Sequence, residues 1–315
     1  MPGSIHHIHD QNGWSVREYT DAVSPPPLQG STLFLSPDFL RYKNYAGLRV
    51  FDLADSNGKI WLRLPFARDG EEMVCLPGVP YGGMSFTHPV PGEGVVTAFL
   101  QTCLGILHAP VRLIMPPSGL PLAGEWLERS LTAAGLTEVR RVLNHHLHLP
   151  DFSENSPDSM QRRRYRKGRE AGLMFRQELP TYLPEACKLI SDYRRQRGHT
   201  ISMSREELEQ AFTVFPSRYH LFTVSQSQEN LAVLVAVKVS EDILYYFMPA
   251  NKPGTEALSP SVFMICELAR WAQSYAISML DLGPSLHSDG TFNESLAGFK
   301  ERMGGITSFR KTFQG

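Results

Sequence analysis

Apolar and polar residues alternate with period two over residues 47–54 and 59–66, and Ser56-Asn57-Gly58 lies between the two runs. Alternation of this kind marks a half-buried strand, and Asn-Gly tolerates the positive φ of a tight turn, so the pair predicts an antiparallel hairpin. The period then changes. Val95, Phe99, Cys103 and Ile106 recur at helical spacing and predict a helix over 94–108. A short apolar run at 110–115 reads as a buried strand, 121–134 as a second helix and 137–149 as a further strand, an α/β order. Residues 150–159 are polar and carry Pro150, Ser153, Ser156, Pro157 and Ser159, which is the composition of a domain boundary.

Beyond that segment, 159–171 reads as a helix closed by Gly172, a residue suited to the left-handed C-terminal cap, and 173–179 as a strand. Ala186, Leu189, Ile190 and Tyr193 form one helical stripe over 184–197, ending at Gly198, and Ser204 to Glu207 has the spacing of a capping box. Three strands follow at 219–224, 231–239 and 242–249. Ser259-Pro260 predicts a helix start with Ser as N-cap and Pro at the first helical position, and Val262, Ile265, Cys266, Ala269 and Ala272 face inward as far as about residue 276. A strand at 278–283, a helix at 293–303 and a strand at 306–313 complete a β-α-α-β-β-β-α-β-α-β order. The fold class is therefore α/β of the α+β kind: an N-terminal extension 1–29, then domains 30–150 and 151–315, each a mixed, mainly antiparallel sheet flanked by helices.

A chain of 315 residues with 42% hydrophobic residues is long enough for two cores. A net charge of -1 argues against a globally basic nucleic-acid binder and leaves only local basic contacts. Cys75, Cys103, Cys187 and Cys266 lie far apart, the usage of reduced thiols in a cytoplasmic protein, and the N-terminus lacks the charged-then-apolar pattern of a secretory signal. Residues 95–115 are interrupted by Gln101, His108, Pro110 and Arg112, so no membrane span is predicted. No GxSxG elbow, phosphate-binding GxxxxGK loop or HExxH helix occurs, which removes support for hydrolase, nucleotidase and zinc-protease readings. His146 and His148 share a strand face beside His145, but no third ligand stands at a recognisable spacing, so no metal is expected. His6, His7 and His9 read as a disordered terminus.

Four blocks carry a family signal: Leu244-Tyr245-Tyr246-Phe247, Arg270-Trp271-Ala272, Met279-Leu280-Asp281-Leu282-Gly283, and Gly298-Phe299-Lys300-Glu301-Arg302-Met303-Gly304-Gly305. In order and spacing they resemble the closing block of the Fem-type (FemAB/FemX-like) branch of the GNAT acyltransferase superfamily. Phe34 to Leu40, Pro80 to Gly83 and Arg163 to Gly172 resemble earlier blocks of that branch, so the similarity spans most of 34–305. The resemblance implies two GNAT-like domains and direct transfer of an acyl or aminoacyl group to an amine. The acceptor is then a small molecule or a cell-envelope precursor. The donor, acyl-CoA or aminoacyl-tRNA, is a substrate rather than a tightly bound cofactor, with tRNA the implied macromolecular partner. Residues 251–260 depart from the acetyltransferase pattern: one glycine, two prolines without a donor N–H, and Glu256 where a pyrophosphate would sit.

The resemblance places Lys300 where a cation meets charge developing on the donor carbonyl, with Phe299 packed beside it; the plain alternative is an amphipathic helix with Lys300 in solvent. Asp281 is the candidate proton acceptor, against a structural carboxylate bound to loop backbone. Tyr245 and Tyr246 are adjacent on a strand and face opposite ways, so one alone lines a cleft, Tyr246 being the catalytic and Tyr245 the substrate-binding candidate. Arg164, Arg166 and Lys167, from the densest basic run of the chain, are candidate ligands of an anionic acceptor or tRNA, against a solvated helix face, and Lys43 is a further substrate-binding candidate. A second functional reading keeps the fold without catalysis, as a binding protein for a phosphorylated ligand.

Overall fold

The structure, a computed structural model, describes residues 3–8, 13–20, 25–28, 31–122, 124–196, 198 and 201–315. The chain forms two compact units, Met1–Val142 with Phe309–Gly315, and Leu143–Ser308. The elements in chain order are β1 (Ser4–His7), β2 (Ser15–Thr20), α1 (Pro37–Lys43), β3 (Arg49–Ala54), β4 (Ile60–Asp69), β5 (Glu72–Val74), β6 (Ser85–Phe86), α2 (Glu93–Leu107), β7 (Val111–Ile114), α3 (Glu125–Ala133) and β8 (Thr137–His148). They continue with α4 (Ser159–Glu170), β9 (Met174–Glu178), α5 (Leu183–Gln196), α6 (Arg205–Val214), β10 (Tyr219–Gln226), β11 (Glu229–Lys238), β12 (Ile243–Asn251), α7 (Pro260–Ser274), β13 (Met279–Pro284), α8 (Glu294–Arg302) and β14 (Ile306–Gln314). No helix among the described residues is long and apolar enough to cross a membrane.

The division between the units differs from the one expected at 150–159. It falls inside β8 and again inside β14, because each is a single unbroken strand and the chain passes from one unit to the other in mid-strand. Residues 150–159 belong to the second unit, where Asp158 caps α4 by accepting from Gln161 N at 2.8 Å. Within the segment 1–29 expected as an extension, β2 pairs with β3 over six residue pairs, and Val16 is buried, so this strand is part of the first unit's sheet. Of the terminal histidines, His6 and His7 lie in β1, which pairs with β2, whereas His9 lies outside the described residues.

In the first unit the strands run in the order β1-β2-β3-β4-β5-β7, with the last residues of β14 beside β7. The hairpin of β3 and β4 turns where the sequence places it. Asp55 Oδ1 accepts from Asn57 N at 2.9 Å and Lys59 N at 3.0 Å, and Gly58 takes the positive φ of +82°. One face of this sheet packs on α2 and α3 through Phe51, Leu53, Leu62, Phe99, Cys103 and Leu131. Five of the six β3 residues are fully buried, so Asp52 has no route to water and is paired instead: Arg63 Nε and Nη2 each donate to it at 2.7 Å. Burial raises the Asp52 carboxyl above its ordinary range, and the Arg63 hydrogen bonds pull it the other way.

In the second unit the order is β8-β13-β12-β11-β10-β9. Leu147, Phe222, Leu234, Leu244 and Leu280 share the face that packs on α7 and α4, while α5 and α6 contact β10, β11 and β12. The capping box of α6 forms in both halves, Ser204 Oγ accepting from Glu207 N at 3.2 Å and Glu207 Oε2 accepting from Ser204 N at 2.7 Å. The parallel pairing of β12 with β13 runs through three pairs, Ile243 with Met279, Leu244 with Leu280 and Tyr245 with Asp281. Beyond these, β12 stays with β11 as far as Asn251, and β13 stays with β8 as far as Pro284. The two strands therefore diverge at Tyr245, and the opening lies between their C-terminal halves.

Candidate active site

The divergence point is built around the end of β13. Asp281 is fully buried, and its Oδ1 accepts from Asn144 Nδ2 and from Gly283 N, each at 2.9 Å. Gly283 has φ +74°, and a Cβ there would stand 3.2 Å from the Tyr245 ring, so any other residue would be strained in its backbone and crowd its neighbour. This turn aims the carbonyls of Gly283 and Pro284 at α8. Lys300 Nζ donates to them at 2.8 and 2.9 Å. α8 starts at Asn293, whose side chain accepts from Leu296 N at 2.9 Å, and that start brings Lys300 into its last turn.

Lys300 is 5% exposed. Burial pulls its ammonium down to about 7, with the nearby Asp281 charge opposing. The alternative of a solvated lysine on an amphipathic helix is thereby excluded. His145, fully buried on β8, is pushed down by burial and by the Lys300 charge; its Nε2 lies 3.6 Å from Glu301 Oε1 and its Nδ1 3.5 Å from Ser285 Oγ. His146 approaches Ser308 Oγ at 3.4 Å, and His148 bonds Asp151 Oδ2 at 2.6 Å. Among the described residues no three His, Cys, Asp or Glu side chains converge on one point.

Phe299, one residue before Lys300, packs on the core beneath α7 and lines a cavity of about 290 Å³ together with Arg164, Asn251, Glu256, Ser259 and Ser261. The cavity lies at the start of α7, where a helix dipole favours an anion. The amides there are few. Pro260 has none, and those of Val262 and Phe263 are taken by Ser259 O at 3.0 and 3.2 Å, which leaves that of Ser261. Ser259 takes a left-handed conformation, and its hydroxyl donates to Glu256 O at 3.2 Å rather than capping the helix, a departure from the N-cap role expected of it. With one amide available and Glu256 in the wall, a pyrophosphate has a poor seat. Acetyl-CoA is accordingly expected to bind with a Kd weaker than about 10 μM, and a calorimetric titration giving tighter binding restores a conventional acetyl-CoA site.

The basic run of α4 is divided by the helix. Gln161, Tyr165 and Gly168 form the buried face. Arg164 flanks it on the side of the cavity and donates to Gln161 Oε1 at 3.4 Å, whereas Arg166 and Lys167 are exposed on the outer side. Tyr245 shares the face of its partner Asp281, and Tyr246 points to the opposite face, into the core beneath α7, where burial raises its hydroxyl. The structure thus gathers Lys300, Asp281 and Tyr245 at the divergence point, and Phe299 and Arg164 at the cavity. Tyr246 is partly buried against the core on the face away from Asp281, and Lys43 sits half-buried in the last turn of α1, in the first unit. Sequence reasoning missed Asn144 and Ser285, and weighed His145 only as a metal ligand. The signal available was a run of three polar residues, Asn144 to His146, in the middle of a strand otherwise suited to a core.

No protein-family model matches the chain, and no curated protein does. Solved structures do. FemX superposes with a TM-score of 0.67 at 12% identity, covering 90% of this chain and 91% of that one. The C-terminal domain of a putative lysylphosphatidylglycerol synthetase from Agrobacterium fabrum gives a TM-score of 0.57 at 11% identity, over 81% of each chain. A tandem GNAT protein from the clavulanic acid biosynthesis pathway gives 0.54 at 10% identity, over 93% of this chain and 91% of that one. In each case the similarity extends over at least 81% of this chain. The protein has the tandem-GNAT fold, which is the fold class expected from the sequence.

Proposed function

We propose that this tandem-GNAT chain is an acyl or aminoacyl transferase acting on an amine, by direct attack and without a covalent enzyme intermediate. The observation that supports it is the seat of Lys300. A neutral lysine has two N–H groups, and both would be committed to the Gly283 and Pro284 carbonyls; the protonated form has a third, free to meet an oxyanion. Attack of the amine on the donor carbonyl forms the new C–N bond and places negative charge on the carbonyl oxygen. The third N–H of Lys300 stabilises that charge, and collapse expels the carrier, while the proton lost by the amine returns to the carrier. Asp281 is a positioning residue in this scheme. By holding Gly283 N it fixes the turn whose carbonyls grip Lys300.

The donor that best suits the α7 cavity is one that does not depend on a cradle of amides. Aminoacyl-tRNA is therefore preferred over acyl-CoA. The neighbour named for lysylphosphatidylglycerol synthesis and the likeness to FemX favour a cell-envelope acceptor, and the amine class follows from the Fem-type resemblance. The four free cysteines, three of them buried, suit a cytoplasmic setting.

The deciding experiment offers the full chain each donor class, acyl-CoA, aminoacyl-tRNA and acyl carrier protein, with a panel of amines, and follows amine-dependent release of the carrier. Turnover with one class is the expected result. Binding without turnover for all three sinks the transferase reading in favour of a non-catalytic binding protein. Replacing Arg164 and Lys167 by Ala is expected to leave stability within about 0.5 kcal/mol while weakening binding of the phosphate-bearing substrate and flattening its salt dependence. Unchanged binding by the folded variant reduces the α4 run to a solvated face.

A further inference from the structure

A second cavity, of about 200 Å³, opens between α4, α7 and residues 152–157, and the transfer scheme uses none of the side chains that line it. Cys266, Arg270 and Gln273 line it from α7 at spacings of four and three, one stripe of the helix, whereas the first cavity takes Pro260 to Val262 from the start of the same helix. The two are separate places.

Phe152, Pro157, Tyr165 and Cys266 form the apolar part of the second cavity's wall, and Ser153, Glu154, Arg162, Arg270 and Gln273 the polar part. Tyr165 and Cys266 are buried, and Phe152 closes one side. The Tyr165 ring is held in position: its hydroxyl donates to Glu267 Oε1, and its centroid lies 5.5 Å from that of the Phe263 ring, tilted by 31°. An apolar cavity of about 150 Å³ is enough to take up benzene, so this one accommodates a single six-membered ring with a small substituent.

The charges on the rim are unequal in their pairing. Arg270 is committed to Glu154 and, at 3.5 Å, to Glu267, and its guanidinium lies over the Tyr165 ring. Arg162 is different. Its Nη1 donates to two neutral acceptors, Asn155 O at 3.0 Å and Pro157 O at 2.9 Å, and among the described residues no carboxylate lies within ion-pair distance of it. Its guanidinium is therefore fixed in place, with Nε and Nη2 left to donate and a full charge unmatched. A planar guanidinium in that condition suits a carboxylate, which takes two parallel N–H bonds.

We infer that this cavity binds a small aromatic carboxylate, its ring against Tyr165, Phe152 and Cys266 and its carboxylate on Arg162. The inference does not depend on the transferase reading, because it is tested by binding alone. Sodium benzoate is titrated into the full chain at constant ionic strength and followed by saturation-transfer NMR and calorimetry, with benzyl alcohol as the uncharged ring and acetate as the ringless charge. Benzoate is expected to saturate with a Kd near or below about 1 mM and to bind at least about tenfold more tightly than either control. Arg162→Met is expected to bring benzoate down to the level of benzyl alcohol without affecting benzyl alcohol itself, and Cys266→Phe, which fills the cavity, to abolish both. If Cys266→Phe fails to fold, the half-exposed Arg162 variant and the three-ligand series on the wild type still decide. Absence of saturable benzoate binding, equal affinity for benzoate and benzyl alcohol, or full benzoate affinity in a folded Arg162→Met protein each overturns the inference.

Discussion

Lys300→Met is expected to lower the rate of transfer about 10²–10³-fold, the loss typical of one oxyanion donor, while the circular dichroism spectrum stays that of the wild type. Methionine keeps the length of the buried stem and removes all three N–H groups. The pH profile gives the sharper result. Burial holds the Lys300 ammonium at about 7, and the third N–H exists only in the protonated form. Activity of the wild type should therefore fall as pH rises through about 7. A rate that climbs through the same range identifies Lys300 as a base that takes the proton of the amine, and the oxyanion assignment is then wrong. Steady-state rates between pH 5.5 and 9, corrected for ionisation of the acceptor amine, separate the two.

Arg63→Met is expected to destabilise the protein by about 3–5 kcal/mol, because it leaves the Asp52 carboxylate buried without its partner. The double variant Arg63→Met/Asp52→Leu should recover most of that loss, since the cost lies in the uncompensated charge rather than in the pair. Urea titration of wild type, single and double variants measures both. The sign of the pH dependence follows from the direction of the shift. The Asp52 carboxyl is raised in the folded state, so the folded protein holds the proton over a pH range in which the unfolded chain has lost it. Its favourable contribution is present in acid and is lost as pH rises through the folded value. The single variant should accordingly be closest to wild type near pH 4 and furthest from it at neutral pH. A loss that is independent of pH points to packing instead.

The second unit was the more legible part of the sequence, and the reason is the range of the interactions that form it. The capping box at Ser204 and Glu207 and the turn at Gly172 act within four residues, so local pattern reports them. In the first unit, β2 has a weaker signal of its own. What holds Glu18 inside is Arg49 Nε, bonded at 2.6 Å from 31 residues away, and no window of the sequence shows that. α1 was passed over although Ser36-Pro37 opens it in the expected manner, Ser36 Oγ accepting from Phe39 N at 3.2 Å; seven residues are too few for a helical stripe to stand out.

The site divides in the same way. Phe299, Lys300 and Asp281 were picked out as candidates through the order of motifs, but the burial of Lys300 was not foreseen, because a lysine in the last turn of a short helix ordinarily faces water. Its seat exists only because Gly283 adopts φ +74° and turns two carbonyls toward α8. Asn144 bonds Asp281 across 137 positions of sequence, a contact that topology alone supplies.

The passage of β8 and β14 between the compact units orders events during synthesis. Phe313 pairs with Leu113, and Gly315 O accepts from Val111 N at 2.8 Å, so the edge of the first unit beside β7 is closed by residues translated about 200 positions later. The portion made first is the last to be finished: while the ribosome is still adding 143–308, β7 presents an open edge, and that nascent interval is when the chain is most exposed to wrong strand pairing.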